Sequence, residues 1–244
     1  MKKLLLIPIP VAAILLVGFQ QAAKPTYADP LLNAFAKSTV ASVADAVDQI
    51  TGKRGYMNHD MRPRVGIAFV GRAATAMLRP ATPENATPAL STRDSVGMID
   101  SAKPGEVGVI VIDGSLDLAA LGGLMATAAK SRGMAGMLVD GGVRDLAEIR
   151  ALGLPVFARS VSPGSSVGRY ASVARDIEVD CAGIKVRPGD IIVAGEDGVV
   201  VVPKEQEQAI LKRSQEIDDR ETKMVPFIKQ FKSLGETVKK FNRI

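Results

Sequence analysis

Hydrophobic and polar positions along the chain switch between two periods, and the switching predicts an α/β protein. Leu31 to Ile50 repeats at helical spacing. Phe35, Thr39, Val43, Ala46 and Ile50 share one face, with Asp45 and Asp48 on another. Val65 to Val70 and Ala73 to Leu78 are short apolar runs around Gly71, and Val107 to Ile112 is a continuous one ending at Asp113-Gly114. Runs of that length bounded by turn residues predict buried strands. Arg79 to Asp94 is polar and Pro-rich and reads as a loop or lid, after which Ile99 begins another short segment. Leu118 to Arg132 predicts a helix with a small-residue face, stopped by Gly133.

The stretch from Leu138 to Pro155 organises the rest. Met137-Leu138-Val139 predicts the end of a buried strand and Gly141-Gly142 a tight turn. Leu146, Ile149 and Leu152 then give a short helix, stopped by Gly153 and Pro155. Arg144 and Asp145 therefore stand at the mouth of a strand-to-helix turn, the end of an α/β strand at which ligands bind. Short strands follow at Val156–Arg159, Ile177–Val179, Ile184–Val186, Ile191–Ala194 and Val199–Val202, with a flexible loop at Ser162–Gly168. Two amphipathic helices, Lys204–Lys223 and Pro226–Phe241, end the chain.

Composition narrows the function classes. At 47% hydrophobic and 23% charged residues the chain is globular. It has no Trp, three Tyr and seven Phe, too few aromatics for stacking on single-stranded nucleic acid. One Cys and one His leave no internal disulfide and no zinc cluster, so a metal here would be held by oxygen. Cys181 is expected to be buried, and His59, alone in a predicted loop, to be solvated. The net charge of +5 owes three charges to Lys2, Lys3 and Lys24; without them 28 basic residues face 26 acids. That balance is no nucleic-acid footprint. No strand is followed by Gly-x-Gly-x-x-Gly, and neither a Walker loop nor a Gly-x-Ser-x-Gly elbow occurs.

The N-terminus reads separately. Lys2-Lys3 precedes sixteen largely apolar residues, Leu4 to Phe19, and Thr26-Tyr27-Ala28 offers small residues at a cleavage site. Residues 1–28 are thus expected to be a cleaved signal peptide, taking the protein to a bacterial periplasm with no stable membrane insertion afterwards. An uncleaved anchor is the rival reading, but the run is short for a span and holds Pro8 and Pro10. Residues 29–244 form one domain, with 204–244 as a helical C-terminal extension.

An adjacent Arg and Asp on a rigid turn are complementary tools. Arg144 can hold a carboxylate through paired hydrogen bonds. Asp145 can hold Mg²⁺ or Mn²⁺ while water and substrate oxygens fill the remaining positions. A 2-oxo acid presents a carboxylate beside a ketone, so it would suit both, the metal acting as a Lewis acid on the ketone. On chemistry alone, a surface or helix-capping ion pair is the simpler reading.

The wider pattern shifts that balance. Gly122-Gly123-Leu124-Met125-Ala126-Thr127-Ala128-Ala129-Lys130, the run from Gly133 to Asp145, and Gly153-Leu154-Pro155-Val156-Phe157-Ala158-Arg159 resemble the RraA-like family. Val186 to Asp190 and Glu196 to Pro203 match its later strands, and Val43 to Val47 and Met61 to Pro63 fit earlier positions, so the resemblance covers about residues 38 to 241. The family includes metal-dependent class II 4-hydroxy-4-methyl-2-oxoglutarate (4-carboxy-4-hydroxy-2-oxoadipate) aldolases and the regulator of ribonuclease E activity. The resemblance implies a swivelling β/β/α sandwich, assembly as a homotrimer or a hexamer of trimers, and sites in clefts between subunits. It implies Arg144 as the substrate-carboxylate ligand, Asp145 as the metal ligand and Gly122, Gly123, Leu124 and Met125 as the substrate-binding loop. Glu221 is the candidate for a glutamate contributed by a neighbouring subunit's C-terminal helix. The implied reaction is retro-aldol cleavage of a 4-hydroxy-2-oxo acid to pyruvate, oxaloacetate decarboxylation, or both, through a metal-stabilised enolate. Gly123 stands where many of these aldolases carry an acid, so a non-catalytic binding or regulatory protein is the alternative.

Overall fold

The structure, a computed structural model, describes residues 28–242. The predicted signal peptide thus lies outside the described residues, apart from Ala28. Two helices open the chain, α1 (Pro30–Phe35) and α2 (Val40–Thr51). The single predicted helix breaks because Thr39 is extended and its hydroxyl accepts from the Ser42 amide at 3.1 Å, starting a new helix. Strands β1 (Arg62–Val65) and β2 (Phe69–Pro80) follow, then α3 (Pro88–Ser101). That helix takes up the end of the predicted loop: Thr87 caps it and Pro88 supplies a preset first residue, so a proline that reads as a breaker is an initiator here.

Strand β3 (Val107–Ile112) leads to β4 (Ala119–Leu121) and α4 (Gly123–Ser131), and β5 (Gly136–Val143) to α5 (Leu146–Leu152). The expected helix from Leu118 is corrected, because its first residues pair with β5 as a strand. The expected turn at Gly141-Gly142 is corrected as well. Strand β5 runs through both glycines, and a side chain at Gly142 would meet the Leu118 carbonyl at 2.7 Å. Gly142 is small so that the Leu118 backbone can approach, and Gly141, at φ 152°, has Ile112 in the place of a side chain; the chain turns at Arg144-Asp145 instead.

The remaining elements are β6 (Val156–Val161), β7 (Tyr170–Arg175), β8 (Val179–Cys181), β9 (Ile184–Val186), β10 (Ile191–Gly195), β11 (Gly198–Val202), a 3-10 turn, α6 (Glu207–Phe231) and α7 (Leu234–Phe241). Pro226 lies inside α6, so the boundary between the two C-terminal helices falls later than predicted.

One mixed sheet carries the fold. Its order is β1-β6-β5-β3-β2-β10-β11, with β4 beside β5, β7 beside β2, and β8-β9 as a separate hairpin. The four central strands β6, β5, β3 and β2 are parallel. The outer strands run antiparallel, and the two edges approach each other where Arg62 donates to the Asp197 carbonyl at 3.4 Å, giving a nearly closed barrel of α/β class. Alternation of period two explains how both faces are buried. Val107, Val109 and Val111 of β3 join Phe69, Leu138, Phe157 and Cys181 inside the curve, while Ile110 and Ile112 pack outward with Leu121 of β4 and with Met98, Ile149 and other residues of α3 to α5. On β10 and β11, Val193, Val200 and Val202 pack outward against Phe35, Val43, Ile210 and Ile217.

Candidate active site

Two parallel strands that end side by side position the site. Leu121 of β4 is level with Val143 of β5, and the Arg144 amide donates to the Leu121 carbonyl at 3.0 Å. Each strand then turns into a helix, β4 through Gly122 into α4 and β5 through Arg144-Asp145 into α5. The two turns touch. The Gly123 amide donates to Asp145 Oδ2 at 2.9 Å, so the carboxylate satisfies a first-turn amide of α4 that has no partner within its own helix. Asp145 adopts left-handed backbone angles, φ 60° and ψ 37°, which Asp tolerates better than most residues.

Arg144 lies alongside. Its Nε is 3.6 Å from Asp145 Oδ2, and the two side chains are 43% and 38% exposed. Among the described residues the guanidinium has no other bond, so its terminal nitrogens remain available as a fork. The neighbouring glycines are small for this reason. A side chain at Gly122 would meet Asp145 Oδ2 at 2.9 Å and Arg144 Nε at 3.1 Å. At Gly123 it would collide with Glu148 Oε2. The carboxylate of Glu148 thus occupies the space that Gly123 leaves. Leu124, next along, is 90% exposed, and Met125 packs its side chain on the core.

Gly122, Gly123, Leu124, Met125, Arg144 and Asp145 are therefore gathered at one place. Glu221 is not brought there within one chain: it stands exposed on α6, which packs on α1, α2, α7 and the outer face of β10 and β11. Glu148 was missed by sequence reasoning. The signal was its spacing three residues after Asp145, which puts both on one side of a helical turn.

A second Arg-Asp cluster lies deeper. Arg159 donates from Nε to Asp60 Oδ2 at 2.9 Å and from Nη1 to Asp140 Oδ1 at 2.9 Å, while Nη2 lies 2.8 Å from Asp60 Oδ2. Asp140 Oδ2 also accepts from the Ala182 amide at 2.5 Å. Burial pushes the Asp60 carboxyl up, but the bonds from Arg159 outweigh it and hold the group below the usual carboxylate value. Burial, reinforced by Asp140 and Asp180, pushes the Cys181 thiol well above its usual value, and this cysteine is fully buried as expected.

Comparison with known proteins adds four findings. The model of the RraA-like family, described as Aldolase/RraA, matches residues 40–201. A Halalkalibacterium halodurans protein named "Putative 4-hydroxy-4-methyl-2-oxoglutarate aldolase" is 37% identical over 114 residues, 46% of this chain and 53% of that protein. The chain thus spans about half the length of that curated relative. Among solved structures, one from Pseudomonas syringae pv. tomato superposes with a TM-score of 0.76 at 25% identity, covering 88% of this chain and 95% of that one. Streptomyces coelicolor RraAS2, described as an unusual member of the RNase ES inhibitor RraA protein family, superposes with a TM-score of 0.71 at 26% identity, covering 82% and 96%.

Proposed function

Because this chain belongs to the RraA-like family, we propose that it is a divalent-metal-dependent carbon–carbon lyase acting on 2-oxo acids. It would cleave a 4-hydroxy-2-oxo acid to pyruvate, decarboxylate oxaloacetate, or both. The observation that carries this reading is the Asp145 carboxylate, oriented by the Gly123 amide, part exposed, and set beside a guanidinium with unused donors.

The donor set fits a hard cation. Among the described residues no three His, Cys, Asp or Glu side chains form a metal-binding group. A cation at Asp145 would therefore take few protein oxygens and draw its other ligands from water and substrate, as Mg²⁺ and Mn²⁺ do. Such a cation, when bound, supplies a Lewis acid for the negative charge that develops on the substrate's keto oxygen.

The chain's own groups bind and orient. Arg144 receives the substrate carboxylate on two parallel N–H bonds, which fixes the adjacent keto group relative to Asp145. Asp145 is kept from swinging away by its bond to Gly123. The loop Gly122 to Met125 stays close to the substrate because its two glycines carry no side chain into the site. In the retro-aldol step the bond between C3 and C4 breaks, the C4 hydroxyl gives up its proton, and the electron pair passes to C3 as the enolate of pyruvate. Protonation at C3 completes the product. In a trimer or hexamer, Glu221 of a neighbouring copy is the carboxylate proposed to complete the site. Residues 1–28 would direct the protein to the periplasm.

The test is pyruvate release from oxaloacetate and from 4-hydroxy-4-methyl-2-oxoglutarate with Mg²⁺, comparing the protein with Asp145→Ala. Activity that the substitution abolishes is expected. No pyruvate from any 4-hydroxy-2-oxo acid or from oxaloacetate would overturn the proposal. A second reading, a non-catalytic regulator, is favoured by the likeness to RraAS2, whose description names an RNase inhibitor family. Tight binding of oxalate or pyruvate with no turnover would select it.

A further inference from the structure

Gly123 raises a question that its own backbone does not answer. It is not among the residues with positive φ, so an alanine could adopt its conformation. What excludes a side chain is the carboxylate of Glu148, whose Oε2 fills the place of the missing Cβ; the next neighbours, Glu148 Cδ and Asp145 Cβ, lie at 3.3 and 3.5 Å. Glu148 follows Asp145 by three residues at the start of α5, so its carboxylate lies over Gly123 while Asp145 lies against both Gly122 and Gly123.

Glu148 stands in the first turn of α5, where a helix end favours an acid. Among the described residues its side chain makes no hydrogen bond or ion pair. The nearby guanidinium of Arg144 pairs with Asp145 instead, and the first amide of α4, that of Gly123, is taken by Asp145 and not by Glu148. Two anionic groups brought together, with one guanidinium loosely paired to one of them, repel each other unless a further cation joins them. A divalent cation satisfies both.

We infer that Glu148 is the second carboxylate of the cation site at Asp145, and that Gly123 is glycine to leave it room. The inference rests on the metal-dependent reading above. It assigns Glu148 to the cation, directly or through a water, and so makes it a residue that sets metal affinity.

Mn²⁺ binding to the purified full chain, read from the loss of the free-ion electron paramagnetic resonance signal, tests this without any substrate. One site per chain is expected, abolished in Asp145→Ala. Glu148→Gln should weaken binding about tenfold or more. Gly123→Ala should weaken it as much, because the methyl displaces only the flexible end of Glu148, and thermal melts should show both variants folded. The double variant should bind no more weakly than either single one. If Glu148→Gln binds Mn²⁺ as tightly as the unsubstituted chain while Asp145→Ala does not bind, the role of Glu148 is overturned and the Asp145 site stands. If the unsubstituted chain takes up no Mn²⁺, both fall together.

Discussion

Arg144 with Asp145 and Arg159 with Asp60 and Asp140 are the same chemistry in two settings. All three guanidinium nitrogens of Arg159 lie within 2.9 Å of carboxylate oxygens, and Asp140 is only 11% exposed. Arg144 offers one nitrogen to one carboxylate at 3.6 Å, with both groups open to solvent and Asp145 in an uncommon backbone region. In the first setting the charges are used up by the fold. In the second they are held in place and left available. A saturated ion pair ties elements together: Arg159 on β6 joins β5 to the segment before β1. An unsaturated one on two adjoining turns is built for a ligand.

The comparison can be broken by four measurements. Asp145→Asn keeps the shape and the tolerance for left-handed angles but loses the charge. It should lower pyruvate-forming activity by about 100-fold or more while leaving the melting temperature nearly unchanged. A large fall in stability would place Asp145 with the structural pairs. Arg159→Met is the opposite case. It leaves Asp60 and Asp140 without their cation and should cost about 3 kcal/mol in urea unfolding, with the surviving folded fraction still active. Loss of activity without loss of stability would move that cluster into the site.

Arg144→Lys retains the charge and loses the planar fork, so KM for the 2-oxo acid should rise about tenfold with a smaller change in kcat. An unchanged KM would remove Arg144 from substrate binding. The smallest effect is expected from acid. Asp60 has its folded pKa depressed below its ordinary value of 3.8, so its contribution is present above that value and is lost as pH falls below it. The melting temperature should therefore drop below about pH 4, and less steeply in Arg159→Met, where the bonds that depress the pKa are gone. Equal slopes in the two proteins would show that the depression does not come from Arg159.

Local information in the chain was enough for much of this. The run of apolar residues from Val107 to Ile112 is a strand buried on both faces, and Leu146 to Leu152 is the short helix that its spacing predicts. Arg144 and Asp145 were legible as a strand-to-helix turn because strand, turn and helix are neighbours in sequence. The small residues before Gly122 looked helical for the same local reason. Only the register against β5, set by residues more than twenty positions later, makes Ala119–Leu121 a strand. Gly141 and Gly142 were visible as a place where side chains are barred, but the backbone that bars one at Gly142 belongs to Leu118.

The tertiary structure alone decided which charges are spent and which are free. Arg159 meets a carboxylate 99 residues before it in the chain, a pairing that no periodicity encodes. The meaning of Gly123 came the same way. In the sequence it is an absent side chain; in the fold its space belongs to Glu148, because two strands ending level bring two turns into contact. The sequence by itself determined the elements and the turn that carries the chemistry, since those follow from short-range spacing and steric preference. The composition of the site was decided by strand register, since that is what makes distant residues neighbours.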